Sequence, residues 1–326
     1  MGRDSFMADS VKKSARQRLL IVGLACVDFI NVAGHYPEED TDQRLLDQRI
    51  SRGGNATNTS VIVAQLGSPV EWLGTVAKDK LADVIIEDLS GTGVLHDHVC
   101  YHDNCKTPVS CVIISAQSGS RTILHANKTL PELDVSDFSR LDLENYSWIH
   151  FEGRNQTKVE QMIKRIEEFN ERRQLLGLET ITVSIEAEKP KAISREFLSR
   201  GDYVFISKEY SHSLGQSSAE ECLKHLQTSG LLKRGARAIC AWGEKGAWGL
   251  EENGTTVHSK AFPPIRVVDT LGAGDTFNGG VLHALSIGKS LEEALKLGCQ
   301  VAGQKVGQNG FLINIGALDS HLLHAS

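Results

Sequence analysis

Apolar positions along this chain fall into short unbroken runs separated by stretches with helical spacing. Leu19-Leu-Ile-Val-Gly-Leu24, Trp148-Ile-His-Phe151, Ile181-Thr-Val-Ser-Ile185, Tyr203-Val-Phe-Ile206 and Ala238-Ile-Cys-Ala241 have the length of strands buried on both faces. Val159, Met162, Ile163, Ile166 and Phe169 share one face of a helix opened by Asn155, and Ala219, Cys222, Leu223 and Leu226 share another. Strands alternating with helices predict βαβ units, hence an α/β fold with a mostly parallel central sheet flanked by helices. Two segments, about 28–50 and about 99–126, break this rhythm with short β-branched runs such as Ser110-Cys-Val-Ile-Ile114 and Arg121-Thr-Ile-Leu124. They predict a small β-sheet lid over one edge of the main layer. Such a sheet has an apolar face to cover, so it should close over substrate or pair with a second subunit.

Composition narrows the classes. A chain of 326 residues is expected to form one main domain, 19–326, with its lid, preceded by a disordered tail at 1–18 that carries an excess of Lys and Arg. A formal charge of -6 disfavours a broad nucleic-acid footprint, and no apolar run reaches the roughly 20 residues of a membrane span. Seven cysteines form no Cys-x-x-Cys pair, which suits free thiols in a reducing, cytoplasmic setting.

The densest chemistry lies in Arg266-Val-Val-Asp-Thr-Leu-Gly-Ala-Gly-Asp-Thr-Phe-Asn278. Val267 and Val268 read as the end of a short β-type run, Asp269 to Gly274 as a turn, and Phe277, Val281, Leu282 and Leu285 as a helix opened by Asp275. Glycines before a helix start expose unpaired N–H groups at the positive end of the helix dipole, which suits an anion. Asp275 could simply be an acid stabilised in a helix first turn. Beside a phosphoryl group in flight it could instead take the proton of an attacking hydroxyl.

Ligands of open α/β sheets sit outside the carboxyl ends of strands. Asp28, Glu152, Arg154, Glu186, Glu188 and Lys208 all follow apolar runs there. Asn55 and Asn58, at i and i+3, share a helix face, and an amide offers both donor and acceptor, as a hydroxyl does. Asn55 could equally be a helix cap; Asn58 lies too deep for that.

Asp269-Thr-Leu-Gly-Ala-Gly-Asp275 resembles the C-terminal signature of the ribokinase/PfkB carbohydrate-kinase family, and Arg52-Gly-Gly-Asn-Ala-Thr-Asn58 its N-terminal signature. Glu152-Gly-Arg-Asn155, Glu188-Lys-Pro190, Cys240-Ala-Trp242, Phe262-Pro-Pro264 and Gly298-Cys-Gln-Val-Ala-Gly303 are similar to a branch that phosphorylates fructose at O1. The likeness runs from about Leu19 to about Phe311. It implies a ribokinase-like fold, ATP with Mg2+ as donor, and Asp275 as base with Gly272, Ala273 and Gly274 around the transferring phosphoryl group. It also implies sugar contacts from Asp28, Asp40, Gly54, Asn55, Asn58 and Arg154. Nucleotide contacts would come from Arg121, Ala241, Trp242, Gly243, Glu244, Gly246, Phe262, Pro263, Gly272, Gly274 and Cys299, and lids would pair into a homodimer. Some relatives hold a monovalent cation near the turn at Asp269. One element departs from the family. The common Asn-x-x-Glu reads Ser207-Lys208-Glu209-Tyr210, leaving Glu186, Glu188 and Glu209 as candidates for orienting magnesium and Lys208 as an extra positive charge near the phosphates. Other acceptors within the family (ribose, adenosine, another ketose) and a catalytically silent sensor are the competing readings, and Asp275 with both glycines argues against the sensor.

Overall fold

The computed structural model describes residues 18–325 except 128 and 192. In chain order the strands and helices are β1 (Arg18–Val22), β2 (Cys26–Ala33), β3 (Asp47–Gly53), α1 (Asn55–Gln65), β4 (Val70–Leu73), β5 (Thr75–Ala77), α2 (Lys80–Ser90) and β6 (Cys100–His102). Then follow β7 (Val109–Ser115), β8 (Arg121–Ala126), α3 (Val135–Phe138), β9 (Tyr146–Glu152), α4 (Gln156–Leu175), β10 (Thr182–Ala187), β11 (Tyr203–Ile206) and α5 (Lys208–Ser213). The chain closes with α6 (Ala219–Ser229), β12 (Arg237–Ala241), β13 (Ala247–Leu250), β14 (Thr256–Ser259), α7 (Ala273–Ser286) and α8 (Leu291–Val306). The expected tail lies outside the described residues except for Arg18, which belongs to β1 and pairs with the buried Glu71 at 2.9 Å.

Eight strands form the central sheet in the order β14-β13-β12-β11-β10-β9-β1-β4. Pairings from β4 to β12 are parallel, and β13 and β14 append an antiparallel edge. The unbroken apolar runs arise because alternate residues feed two cores. Leu19 and Ile21 pack with Trp72, Phe277, Val281 and Leu295 under α1, α7 and α8. Leu20 and Val22 pack with Ile149, Ile163, Val183 and Leu223 under α4 and α6. Each such aliphatic side chain contributes about 1.5–3 kcal/mol by leaving water, so neither face tolerates a polar period. Among the described residues no helix is long and apolar enough to cross a membrane, and all seven cysteines are free.

A second sheet has four strands in the order β3-β2-β7-β8, and its residues share a cavity lining with Phe205 and Ile239 of the first. Its register sorts the two faces. Asp28, Ser110 and His125 form one cross-strand row, while Ile50, Phe29, Cys111 and Leu124 form the adjacent row pointing the other way. Ile50 and Leu124 are more than half exposed on that outer face.

Val267 and Val268 do not end a strand. They are exposed in a loop, where the Val268 N–H donates to the carbonyl of Val306 at 2.8 Å. The apolar residues there had suggested β structure, but a bond to a helix terminus replaces a ladder.

Candidate active site at the carboxyl edge of the sheet

A cavity of about 410 Å³ opens between the carboxyl ends of the central strands, the inner face of the four-stranded sheet and the start of α7. That volume lies in the range of small-ligand sites. α7 starts after Gly272, which holds a left-handed φ of 73°. The first i→i−4 bond runs from Thr276 N–H to the Gly272 carbonyl at 2.9 Å, so the Gly274 and Asp275 N–H groups precede the helical ladder. The Ala273 N–H is engaged within the turn, donating to Thr270 at 3.3 Å.

Asp275, in this first turn, is buried and accepts from Asn58 Nδ2 at 2.7 Å. Burial pushes its carboxyl up to about 7; the Asn58 hydrogen bond opposes the rise, and the charges of Glu188, Glu152 and Asp28 add to it. Asn58 is itself fixed by Arg52, whose Nη1 donates to Asn58 Oδ1 at 2.6 Å while its Nε pairs with Asp88 at 2.5 Å. A chain of charge-assisted bonds thus orients the carboxylate.

α1 begins at Asn55 with Gly54 as its cap, at φ 108°, where a Cβ would run into the Leu24 carbonyl. Asn55 is therefore not the cap. Its amide donates to Glu188 at 2.8 Å and to Glu186 at 3.3 Å, and Asn278 donates to Glu186 at 2.7 Å. Burial raises Glu186 well above the usual carboxylate range, and its neighbours Glu188, Asp275 and Glu152 raise it further. Glu152 is raised too, by burial first, although it accepts from the Leu24 N–H at 2.7 Å and from Arg154 at 3.3 Å. Arg154 also clasps Glu132 with both Nε and Nη2, at 3.0 and 2.7 Å. Asp28 is buried, raised by that burial, and accepts from the Cys26 thiol at 3.4 Å. On the opposite side, Arg121 Nη1 reaches Thr270 Oγ1 at 2.6 Å, linking the lid strand to the turn.

Asp28, Gly54, Asn55, Asn58, Arg121, Arg154, Ala241, Gly272, Gly274 and Asp275 therefore line one cavity. Asp40 does not: it is exposed on the loop after β2, at φ 60°. Trp242, Gly243, Glu244, Gly246, Phe262, Pro263 and Cys299 lie beyond its lining. Trp242 is buried with Lys208 Nζ 5.5 Å over its ring, Gly246 closes against the Ser259 carbonyl, and Cys299 is buried beside Ser259. Glu209 is exposed and away from the cavity. The cavity also contains residues that sequence reasoning missed, notably Ser110, His125, Phe205, Ile239, Phe277 and Asn278. Phe205, Ile239 and Phe277 read only as core positions; Asn278, a polar residue on a helix face of apolar ones, carried a signal.

Among the described residues no cluster of three or more His, Cys, Asp or Glu side chains is arranged to hold a metal ion by itself. A magnesium ion carried on phosphate oxygens asks only one or two carboxylates of the protein. The crowded carboxylates Glu186 and Glu188, both accepting from the Asn55 amide, fit that demand.

The pfkB family carbohydrate kinase profile matches residues 16–315. The chain is 44% identical to ketohexokinase of Mus musculus over 295 residues, 90% of this chain and 98% of that protein. The structure of ribokinase from Giardia lamblia superimposes with a TM-score of 0.77 at 16% identity, covering 90% of this chain and 96% of that one. Arabidopsis thaliana ribokinase complexed with ribose and ATP gives 0.74 at 21% identity, covering 90% and 94%.

Proposed function

The chain belongs to the pfkB family of carbohydrate kinases, and we propose that it transfers the γ-phosphoryl group of Mg-ATP to O1 of D-fructose, with Asp275 as general base. The observation that carries this reading is the buried Asp275 carboxylate, aimed by Asn58 and lying one residue past Gly274 at the positive end of α7. Likeness to mouse ketohexokinase supports the ketose.

In this mechanism the sugar lies against Asp28, Asn55, Asn58 and Arg154, whose mixture of acceptors and donors suits a neutral polyol. The O1 proton passes to Asp275 as O1 bonds to the γ-phosphorus and the bond to the β-phosphate oxygen breaks, releasing ADP. The amides of Gly274 and Asp275, the helix dipole and Arg121 stabilise the charge on the equatorial oxygens. Glu186 and Glu188 are the residues that would hold a hydrated magnesium ion, which would supply positive charge to offset that of the phosphates. The adenine would extend along Ala241 toward Gly243, Glu244, Gly246, Phe262, Pro263 and Cys299, with Trp242 and Lys208 beside it.

We place dimerisation on the outer face of the four-stranded sheet, where Ile50, Phe29, Cys111 and Leu124 form an apolar row. Asp40 can reach a sugar only by movement of its own loop or across such a lid-to-lid pair. A Leu124→Asp variant should then run as a monomer in light scattering; an unchanged mass, or a monomeric wild type, removes the interface.

The test of the reaction is ATP consumption against fructose, ribose, adenosine and glucose, with phosphorus NMR of the product. Rapid formation of fructose 1-phosphate supports the proposal. Turnover of a different acceptor keeps the chemistry and overturns the substrate, and ligand binding without any turnover would favour a sensor.

A further inference from the structure

The cavity-facing row of the four-stranded sheet ends in a histidine. Asp28 on β2, Ser110 on β7 and His125 on β8 stand side by side on adjacent strands. Ser110 Oγ lies 3.1 Å from His125 Nδ1 and 3.7 Å from Cys26 Sγ, and the Cys26 thiol donates to Asp28 Oδ1 at 3.4 Å. Counting protons fixes the direction of this chain. The thiol gives its one proton to Asp28, so toward Cys26 the Ser110 hydroxyl can only donate. Burial raises the Asp28 carboxyl, and a hydrogen bond from the Ser110 hydroxyl opposes the rise. Both claims on the single hydroxyl proton thus come from β2, and Ser110 Oγ meets His125 as an acceptor. His125 therefore carries a proton on Nδ1.

Partial burial and the charges of Arg154 and Lys189 hold the imidazole below its usual pKa, with Asp28 and Glu132 opposing them, so the ring is neutral at pH 7. A neutral ring protonated on Nδ1 presents a bare Nε2, which accepts. Nε2 makes no hydrogen bond among the described residues, and His125 is open to the cavity that it lines.

Position along β8 decides what this acceptor meets. Arg121, Ile123 and His125 alternate onto the cavity side of the strand. Arg121 marks the phosphate end, through its bond to Thr270 ahead of α7. The strand rise places His125 about 13 Å from Arg121, toward Arg154. With O1 of the sugar at Asp275, the part of the sugar that reaches His125 is its far end. The charges there call for a neutral group. Arg154 is already clasped by Glu132 and Glu152, and Lys189 lies 3.9 Å from Glu188. Neither cation near His125 is left free for a phosphate, whereas a hydroxyl has a proton to give to Nε2.

We propose that His125 is a specificity-determining residue whose Nε2 accepts a hydrogen bond from the sugar hydroxyl farthest from O1, the 6-hydroxyl of fructose. The proposal rests on the kinase reading above, which sets the orientation of the sugar. Ser110 locks the tautomer, and the site selects sugars with a free hydroxyl at that end over deoxy or phosphorylated ones.

The experiment measures calorimetric binding of fructose, 6-deoxyfructose and fructose 6-phosphate to the full chain, alongside ATP-dependent turnover of the first two. Wild type is compared with His125→Phe, which keeps a planar ring and loses the acceptor. The preference for fructose over 6-deoxyfructose should be about twofold to tenfold greater in wild type than in His125→Phe, the size of one neutral hydrogen bond. Comparing ratios between proteins cancels differences in ring form between the sugars and any general loosening of the site, so a merely structural histidine would leave the ratio unmoved. An equal preference in the two proteins overturns the proposal. So does fructose 6-phosphate that binds wild type as tightly as 6-deoxyfructose, and this arm needs no variant to fold. Fructose turned over with an unmoved ratio removes the role of His125 alone. Fructose that binds without being phosphorylated removes the kinase reading, and the binding ratios still decide the role of His125. If neither sugar binds wild type, the ketose and this contact fall together.

Discussion

Removing the Asn58 amide should move the acid limb of the pH profile to higher pH. Asp275 must be ionised to accept the O1 proton, and burial has already pushed its carboxyl up to about 7. The group holding it down is Asn58, donating at 2.7 Å inside a buried site. A hydrogen bond to a charged group contributes about 1.5–3 kcal/mol, and 1.36 kcal/mol corresponds to one pKa unit, so its loss should raise Asp275 by about one to two units. The assay is ADP release at saturating ATP and limiting fructose, which reports kcat/KM for fructose and hence ionisations of the ATP-bound enzyme and of free fructose. Wild type should gain activity as pH rises through about 7 and then level off. In Asn58→Ala the same limb should sit about one to two units higher. Because Asn58 is also a proposed sugar contact, the height of the curve can fall at every pH; only the position of the limb isolates the electrostatic effect. Asp275→Asn should lose the limb together with about a hundredfold to ten-thousandfold in rate. A wild-type limb near pH 4, or a limb that stays in place when Asn58 is removed, would refute this reasoning.

Stability should show the same group with the opposite sign. The folded pKa of Asp275 exceeds the ordinary 3.8, so the folded state binds more protons between about pH 4 and 7, and stability falls as pH rises through that window. Asp275→Asn, which has no charge to bury, should therefore be more stable than wild type at pH 8 by on the order of a few kcal/mol, with no advantage below pH 4, in urea titrations. Two glycines of the signature should separate cleanly. Gly272→Ala meets both a left-handed φ and the Phe311 ring, so it should cost at least about 1–2 kcal/mol of stability. A Cβ on Gly274 meets open space within a helix, so Gly274→Ala should hold or gain stability, by up to about 1 kcal/mol, while ATP turnover drops. Arg121→Ala should raise KM for ATP about tenfold, the loss of one charged hydrogen bond, and leave the urea midpoint unchanged because that side chain is exposed.

The sequence alone determined the layered α/β fold, because strands that bury both faces cannot hide their apolar runs. Tyr203–Ile206 is a strand with the bounds its apolar run suggested. The glycine-flanked turn and the acid in the first turn of α7 were also legible, since capping and dipole effects act within a few residues. Tertiary structure decided what each polar residue binds. Asn55 looked equally like a cap until the fold brought Glu186 and Glu188, more than a hundred residues away, onto its amide. Val267 and Val268 looked like strand residues because β propensity is local, whereas the bond that holds them comes from the end of α8. Asp40 and Asp28 share a segment, yet only Asp28 lies in a strand row that faces the cavity. Nothing along the chain singles out Lys305, and only the fold buries its ammonium against Asp269. Periodicity and turn chemistry are short-range and can be read along the chain; desolvation and pairing depend on what distant segments bring to the same place.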